Sequence, residues 1–99
     1  MKPKILSFVR MASPYYERLK ETFYVTELLE FEPSKRGALP DSARDARGLV
    51  TTGGRHGAPR WLIETMPNLE IISCHSVGYN AVDLAAARER GIIVTHAPG

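Results

Sequence analysis

Two glycine-bearing segments are the parts of this sequence best suited to binding chemistry. Gly53-Gly54-Arg55-His56-Gly57 and Ser76-Val77-Gly78-Tyr79-Asn80 each follow a short apolar run. Glycine lets the backbone approach a ligand closely, and backbone N–H groups near a helix start favour an anion. The first segment therefore predicts binding of a small anion, with Gly53 and Gly54 beside it. The competing interpretation is that its glycines only form a tight turn between a strand and a helix.

Other kinds of site find little support in the residue types and their spacing. Neither segment is a Gly-x-Gly-x-x-Gly or a P-loop sequence, so nothing predicts binding of a dinucleotide or a triphosphate. His56, His75 and His96 follow or end predicted strands, but no pair has helical metal-ligand spacing, and Cys74 lacks a Cys-x-x-Cys partner. Ser76 lacks the flanking glycines of a nucleophile elbow. We therefore predict no metal site and no serine nucleophile.

Some residues that invite a chemical role have simpler structural explanations. Asp83 could act as a general base, but it directly precedes Leu84-Ala85-Ala86-Ala87, where it is expected to cap a helix. Trp61 lies among apolar residues at helical spacing, which is typical of core packing. The run Arg88-Glu89-Arg90 is interpreted as a solvated helix end.

Composition limits the class of protein. The 99 residues are enough for one domain, and 13 Lys and Arg against 11 Asp and Glu give a net charge of +2 without a basic stripe. We therefore expect no nucleic-acid partner. The apolar runs are far shorter than the roughly 20 residues of a membrane-spanning helix, so no membrane partner is expected either. A single cysteine and the lack of a leader segment favour the cytoplasm.

Hydrophobic periodicity alternates between strand and helix along the chain, which predicts parallel crossovers with helices on both faces of one sheet. We expect a flavodoxin-like α/β fold with strand order 2-1-3-4-5, whose ligands bind beyond the carboxyl ends of the strands. The predicted strands are Lys4–Val9, Phe23–Leu28, Gly48–Thr52, Leu69–Cys74 and Gly91–Thr95. The predicted helices are 14–22, Asp41–Arg47, Ala58–Met66 and Leu84–Arg90, the last closed by a left-handed Gly91.

The last third of the chain carries short motifs in a fixed order. They are Ser76-Val77-Gly78-Tyr79, Val82-Asp83-Leu84, Arg90-Gly91-Ile92 and Pro98-Gly99. In this order they resemble the D-isomer-specific 2-hydroxyacid dehydrogenase family, whereas residues 1–65 carry no diagnostic motif. Ser76 stands where many relatives have glycine, which leaves the subfamily open. Within the family, the glyoxylate or hydroxypyruvate reductases are the branch that we expect.

The resemblance implies that the whole chain is a single substrate-binding, or lid, domain of a reductase acting on small 2-keto acids. In the family, backbone N–H groups that match Val77 and Gly78 bind the substrate carboxylate, and Gly53 and Gly54 lie near the same pocket. The family's Rossmann domain, which binds NAD(P)H, and its catalytic Arg, Glu and His normally follow a tail like Ala97-Pro98-Gly99. We therefore expect no cofactor and no catalytic residue in this chain, and no activity of the chain alone.

Two further expectations concern assembly and an alternative role. In the family a later segment packs on this domain, so the chain alone is expected to expose apolar surface and to self-associate. The alternative is an excised or engineered flavodoxin-like scaffold with no ligand. A response receiver is excluded because Arg10-Met11 and Thr51-Thr52 stand where it needs acidic residues.

Overall fold

The computed structural model describes residues 2–10, 14–29, 39–52, 57–74 and 82–96. Within these ranges strands and helices alternate in the predicted order. They are β1 (Lys4–Ser7), α1 (Tyr15–Thr22), β2 (Tyr24–Glu27), α2 (Asp41–Arg44), β3 (Gly48–Thr51), α3 (Arg60–Thr65), β4 (Ile71–Cys74), α4 (Leu84–Glu89) and β5 (Ile93–His96). Among the described helices, none has both the length and the apolar character needed to cross a bilayer.

All five strands join in one parallel sheet with the order β2-β1-β3-β4-β5. This confirms the predicted flavodoxin-like topology. Each strand is only four residues long. The middle strands are paired on both sides and covered by helices, so their sequences are mostly apolar and do not alternate with polar residues. β3 is the extreme case, since all four of its residues are buried.

One face of the sheet carries the hydrophobic core. Leu6, Leu49 and Ile72 are neighbours in register across β1, β3 and β4, and each is at most 1% exposed. Buried side chains from three helical regions pack in the same cluster, which comprises Ala43 and Ala46 near α2, Leu62, Ile63 and Met66 near α3, and Ala86 and Ala87 in α4. The core therefore lies between this face and α2, α3 and α4.

The opposite face carries α1 and is less completely covered. Burial of Tyr16 in α1 raises the pKa of its hydroxyl, and the nearby carboxylate of Glu27 in β2 raises it further. Because Glu27 pairs with Ser7 and not with Leu6, its side chain lies on the face away from the core. Helices thus lie on both faces, as predicted, with three on one face and one on the other.

An apolar row runs across this second face from β1 to β5. It consists of Ile5, Gly48, Ile71 and Ile93, which are neighbours in register. Ile71 is 40% exposed and Ile93 is 61% exposed. A Cβ on Gly48 would lie 3.3 Å from Cγ1 of Ile5, so the glycine lets the isoleucine side chains fill the row. The second face therefore presents apolar side chains to solvent.

The end of α4 is fixed by the glycine that the sequence placed there. Gly91 has φ +68° and donates its N–H to the Arg88 carbonyl at 3.1 Å. Ile92 donates its N–H to the Ala87 carbonyl at 2.9 Å. These two bonds form a Schellman motif, and the buried Ile92 and Ala87 supply its hydrophobic contact. The predicted left-handed position of Gly91 is confirmed.

The unequal burial of the two faces gives a stability prediction. We expect Leu49→Ala to lower the free energy of unfolding by about 2–5 kcal/mol because it leaves a cavity in the core. The matched substitution Ile93→Ala, on the exposed face, is expected to change it by less than about 0.5 kcal/mol. Urea denaturation followed by circular dichroism measures both, and equal losses would contradict the assignment of the core to one face.

Candidate functional site

The four residues predicted to bind a substrate carboxylate, Gly53, Gly54, Val77 and Gly78, lie outside the described residues. The structure instead places the residues that flank them. The described residues stop at Thr52 and resume at Gly57 around segment 53–56, and they stop at Cys74 and resume at Val82 around segment 75–81. Gly57 and Val82 are called the return points of the two segments. The site is therefore described through these four flanking positions, which frame it.

The two segments leave the sheet from neighbouring strands. Thr51, the last residue of β3, is paired with Cys74, the last residue of β4. On the other side of β3, Val50 is paired with Ser7, the last residue of β1. The carboxyl ends of β1, β3 and β4 thus lie side by side, at the edge of the sheet where ligands bind in folds of this kind.

The two segments also return side by side. Ala58, which follows Gly57, forms an isolated parallel bridge with Val82. The Asp83 N–H donates to the Ala58 carbonyl at 2.9 Å. The described residues on both sides of the two segments are therefore neighbours at this edge of the sheet.

The base of segment 53–56 is closed by buried hydrogen bonds. The Gly57 N–H donates to the Thr52 carbonyl at 2.7 Å, and the Thr51 hydroxyl donates to the Gly57 carbonyl at 2.7 Å. Thr51 is fully buried, so this bond satisfies a hydroxyl that would otherwise destabilise the core. Gly57 has φ +63°, a conformation that favours glycine. The tight-turn interpretation is therefore supported at Gly57, whereas Gly53 and Gly54 lie outside the described residues.

The helix after segment 53–56 begins later than predicted. Ala58 bridges to Val82, Pro59 precedes the first helical turn without a side-chain cap, and α3 begins at Arg60. With six residues, α3 sums few peptide dipoles. The predicted helix start at about Ala58 is thus two residues too early, because pairing with Val82 holds Ala58 in extended backbone.

Asp83 has the structural role predicted for it. Its Oδ1 accepts the Ala86 N–H at 2.9 Å, which caps α4. Val82 before it and Ala87 in the helix are both buried in the core cluster, as a hydrophobic staple requires. The cap fixes the backbone where segment 75–81 returns to the fold.

A cluster of charges joins the start of α3 to α4. The guanidinium of Arg60 donates to both carboxylate oxygens of Glu89, at 2.8 and 3.4 Å. It also lies 3.7 Å from Asp83 and 3.8 Å from Glu64. Glu89 raises the pKa of Arg60, and Arg60 in turn holds the pKa of Glu89 below its usual range. The pair is therefore charged at neutral pH.

Arg90, which directly follows α4, joins the carboxyl end of α4 to the carboxyl end of α3. Its guanidinium donates to the carbonyls of Met66 at 3.0 Å and Pro67 at 2.9 Å, and also to that of Ile63. These carbonyls lie at the end of α3, where those of Ile63 and Met66 also accept the backbone N–H groups of Met66 and Leu69, each at 3.2 Å, so Arg90 adds a second bond to both. Arg90 is thus not the freely solvated residue expected from the sequence, and both ends of α3 are connected to α4.

The remaining candidates are the three histidines, Ser76 and Trp61. His56, His75 and Ser76 lie outside the described residues, as does the side chain of His96. In the part of the chain that the structure describes, no group of three His, Cys, Asp or Glu side chains is arranged to hold a metal ion. Trp61 packs against the core cluster, as predicted.

Comparison with known proteins identifies relatives along nearly the whole chain. Residues 5–99 match the family model described as D-isomer specific 2-hydroxyacid dehydrogenase, catalytic domain. Glyoxylate/hydroxypyruvate reductase B of Erwinia tasmaniensis is 31% identical over 98 residues, which are 99% of this chain and 30% of that protein. The chain thus spans about 30% of the length of this curated relative.

Solved structures share the fold over the full chain. A 2-hydroxyacid dehydrogenase from Ketogulonicigenium vulgare is 45% identical with a TM-score of 0.81, over 100% of this chain and 30% of that one. An NADPH-dependent glyoxylate/hydroxypyruvate reductase from Sinorhizobium meliloti, solved with NADP and malonate, is 29% identical with a TM-score of 0.77, over 100% of this chain and 29% of that one. The family match together with this shared fold shows that the chain belongs to the D-isomer-specific 2-hydroxyacid dehydrogenase family.

Proposed function

We propose that this chain is the substrate-binding, or lid, domain of an NAD(P)H-dependent 2-keto acid reductase of the glyoxylate/hydroxypyruvate type. Backbone N–H groups of Val77 and Gly78 bind the substrate carboxylate, with Gly53 and Gly54 beside them. The observation that carries the proposal is the common frame of the two segments. The segments follow the neighbouring strands β3 and β4, and the residues just after them include the bridged pair Ala58 and Val82.

This frame suits recognition of a carboxylate by backbone donors. Such donors bind an anion well only when their positions are fixed beforehand. The buried bonds at Thr51 and Gly57 fix one end of the frame, and the Asp83 cap fixes the other. The Sinorhizobium meliloti reductase has been solved with malonate and with citrate, and both of these molecules carry carboxylates.

The nicotinamide cofactor has no fitting site in the residues of this chain. β1 is followed by Phe8, Val9 and Arg10, without the glycines that a dinucleotide needs beside a first strand, and no Gly-x-Gly-x-x-Gly occurs in the sequence. We assign cofactor binding and the catalytic residues to the rest of the parent enzyme. The part of this chain is to orient the carboxylate and to exclude water when the parent closes on its substrate.

Binding of a small 2-hydroxy acid is the first test. We expect glycolate to shift the amide NMR signals of Val77, Gly78 and residues 53–57 in the ¹⁵N-labelled chain, with a Kd on the order of 1 mM or weaker because half of the pocket is lacking. Glycolamide, the uncharged analogue, is the matched control and should cause no comparable shifts. A well-dispersed spectrum indifferent to glycolate would favour the alternative, a scaffold without a ligand.

The chain alone is expected to have no reductase activity. It lacks a dinucleotide loop, so it cannot hold the hydride donor against the substrate. The measurement is NADH or NADPH absorbance in the presence of glyoxylate and the purified chain, and the no-protein reaction is the control. Cofactor oxidation above that control rate would contradict the assignment of catalysis to the rest of the parent.

We also propose that the chain on its own self-associates through the apolar row Ile5, Gly48, Ile71 and Ile93. A depression of about 280 Å³ lies over part of this row, with Pro3 and Phe23 among its lining. The ion pairs Lys4–Asp45 and Arg47–Glu70 stand at the same end of the sheet. A second copy related by a twofold axis would meet this face with the same apolar residues and with charges of both signs.

Self-association is tested by placing a charge on the row. Ile93→Lys is expected to shift the chain toward monomer without unfolding it, because Ile93 is 61% exposed. Leu84→Lys is the matched control, since Leu84 is 40% exposed but lies in α4, over the opposite face. Sedimentation velocity over a range of concentrations measures both variants. A wild-type chain that is monomeric at every concentration, or equal effects of the two variants, would contradict the proposal.

A further inference from the structure

Arg60 lies next to the residues that follow both segments, 53–56 and 75–81. It lies two residues after Ala58, and one of its partners, Asp83, directly follows Val82. Its strongest contact is the two-bonded pair with Glu89 at the far end of α4. Its side chain thus connects the helix that follows segment 53–56 with the helix that follows segment 75–81.

We propose that Arg60 is a positioning residue that holds the return ends of segments 53–56 and 75–81 together. It acts through Asp83 and Glu89 and does not itself touch the ligand. The consequence for ligand binding rests on the proposed function, whereas the effect on the frame can be measured without any ligand.

The need for such a residue follows from how little backbone pairing joins the two return points. Among the described residues, Ala58 and Val82 form a single bridge outside the five-stranded sheet, and the Asp83 N–H donates to the Ala58 carbonyl beside it. An isolated bridge lacks the cooperative neighbours of a full ladder and opens more readily than the central strands do. The contacts of Arg60 with α4 and its cap oppose the separation of the two chain segments that carry Ala58 and Val82.

The charges around Arg60 favour this role over a solvated surface pair. A single exposed ion pair contributes little to stability, whereas several charges with two-bonded geometry form a network. Arg60 is 44% exposed and has carboxylates of Glu64, Asp83 and Glu89 within 4 Å. Two of these three belong to the opposite helix or its cap, so the network acts across the gap between α3 and α4.

Amide hydrogen exchange of the chain without ligand tests the proposal directly. We expect Arg60→Gln to accelerate exchange of the Asp83 N–H by about fivefold, the size expected when a small charge network is lost. The Phe8 N–H, bonded to the Val50 carbonyl at 2.9 Å in the central sheet, should be unchanged. Arg60→Lys should restore part of the protection because it keeps the charge.

Arg47→Gln is the matched control. Arg47 pairs with Glu70 at the opposite end of the sheet, and both side chains are more than half exposed. This variant removes an equivalent surface pair and should leave the exchange rate of the Asp83 N–H within twofold of wild type. Equal rates for Arg60→Gln and wild type, or equal acceleration by both variants, would overturn the proposal.

Glycolate affinity then connects the frame to the site. A displacement of about 1 Å in a binding group can cost up to roughly 100-fold in catalysis, so we expect Arg60→Gln to weaken glycolate binding at least threefold and Arg47→Gln to leave it unchanged. If the wild-type chain does not bind glycolate, the proposed function fails while the exchange experiment still decides the role of Arg60. If both variants bind as wild type does, Arg60 does not position the site.

Discussion

The pairing of β3 between β1 and β4 is the constraint on which the rest of the structure depends. All four residues of β3 are buried, and the strand has parallel partners on both sides. Because parallel strands have their carboxyl ends at one edge, this pairing brings together the chain ends that frame the site. It also fixes which side chains share a face, so Leu49 faces the core while Gly48 belongs to the exposed apolar row. The register of β3 with its two neighbours therefore determines both the position of the candidate site and the residues of the exposed apolar row.

Much of the fold could be predicted from the sequence because its signals are local. Periodicity located the nine elements found in the described residues, and the cap at Asp83 and the left-handed Gly91 followed from residue type and position. The start of α3 could not be predicted in this way. Ala58 pairs with Val82, 24 residues further along the chain, and no residue near Ala58 in the sequence indicates that partner.

The same distinction between local and distant contacts applies to the candidate site. Val77 and Gly78 were assigned through family resemblance, since a glycine between apolar neighbours is a weak signal by itself, and they lie outside the described residues. The contact of Arg60 with Glu64 has helical spacing and is visible in the sequence, but at 3.8 Å it is the longest of the three. The contact with Glu89 is the shortest and spans 29 residues, so it required the fold.

The short α3 determines how a carboxylate can be recognised at this edge under the proposed function. A helix of six residues beginning at Arg60 offers little dipole attraction, and the guanidinium of Arg60 is already engaged by carboxylates. The proposed function assigns the binding to backbone N–H groups within the two segments, and donors of that kind are effective only when they converge on one point. Convergence depends on the distance between the return ends at Ala58 and Val82. Under the proposals made above, the ion-pair network of Arg60 contributes to anion recognition by fixing the distance between Ala58 and Val82. Its positive charge does not attract the anion directly, because carboxylates of the protein already neutralise it.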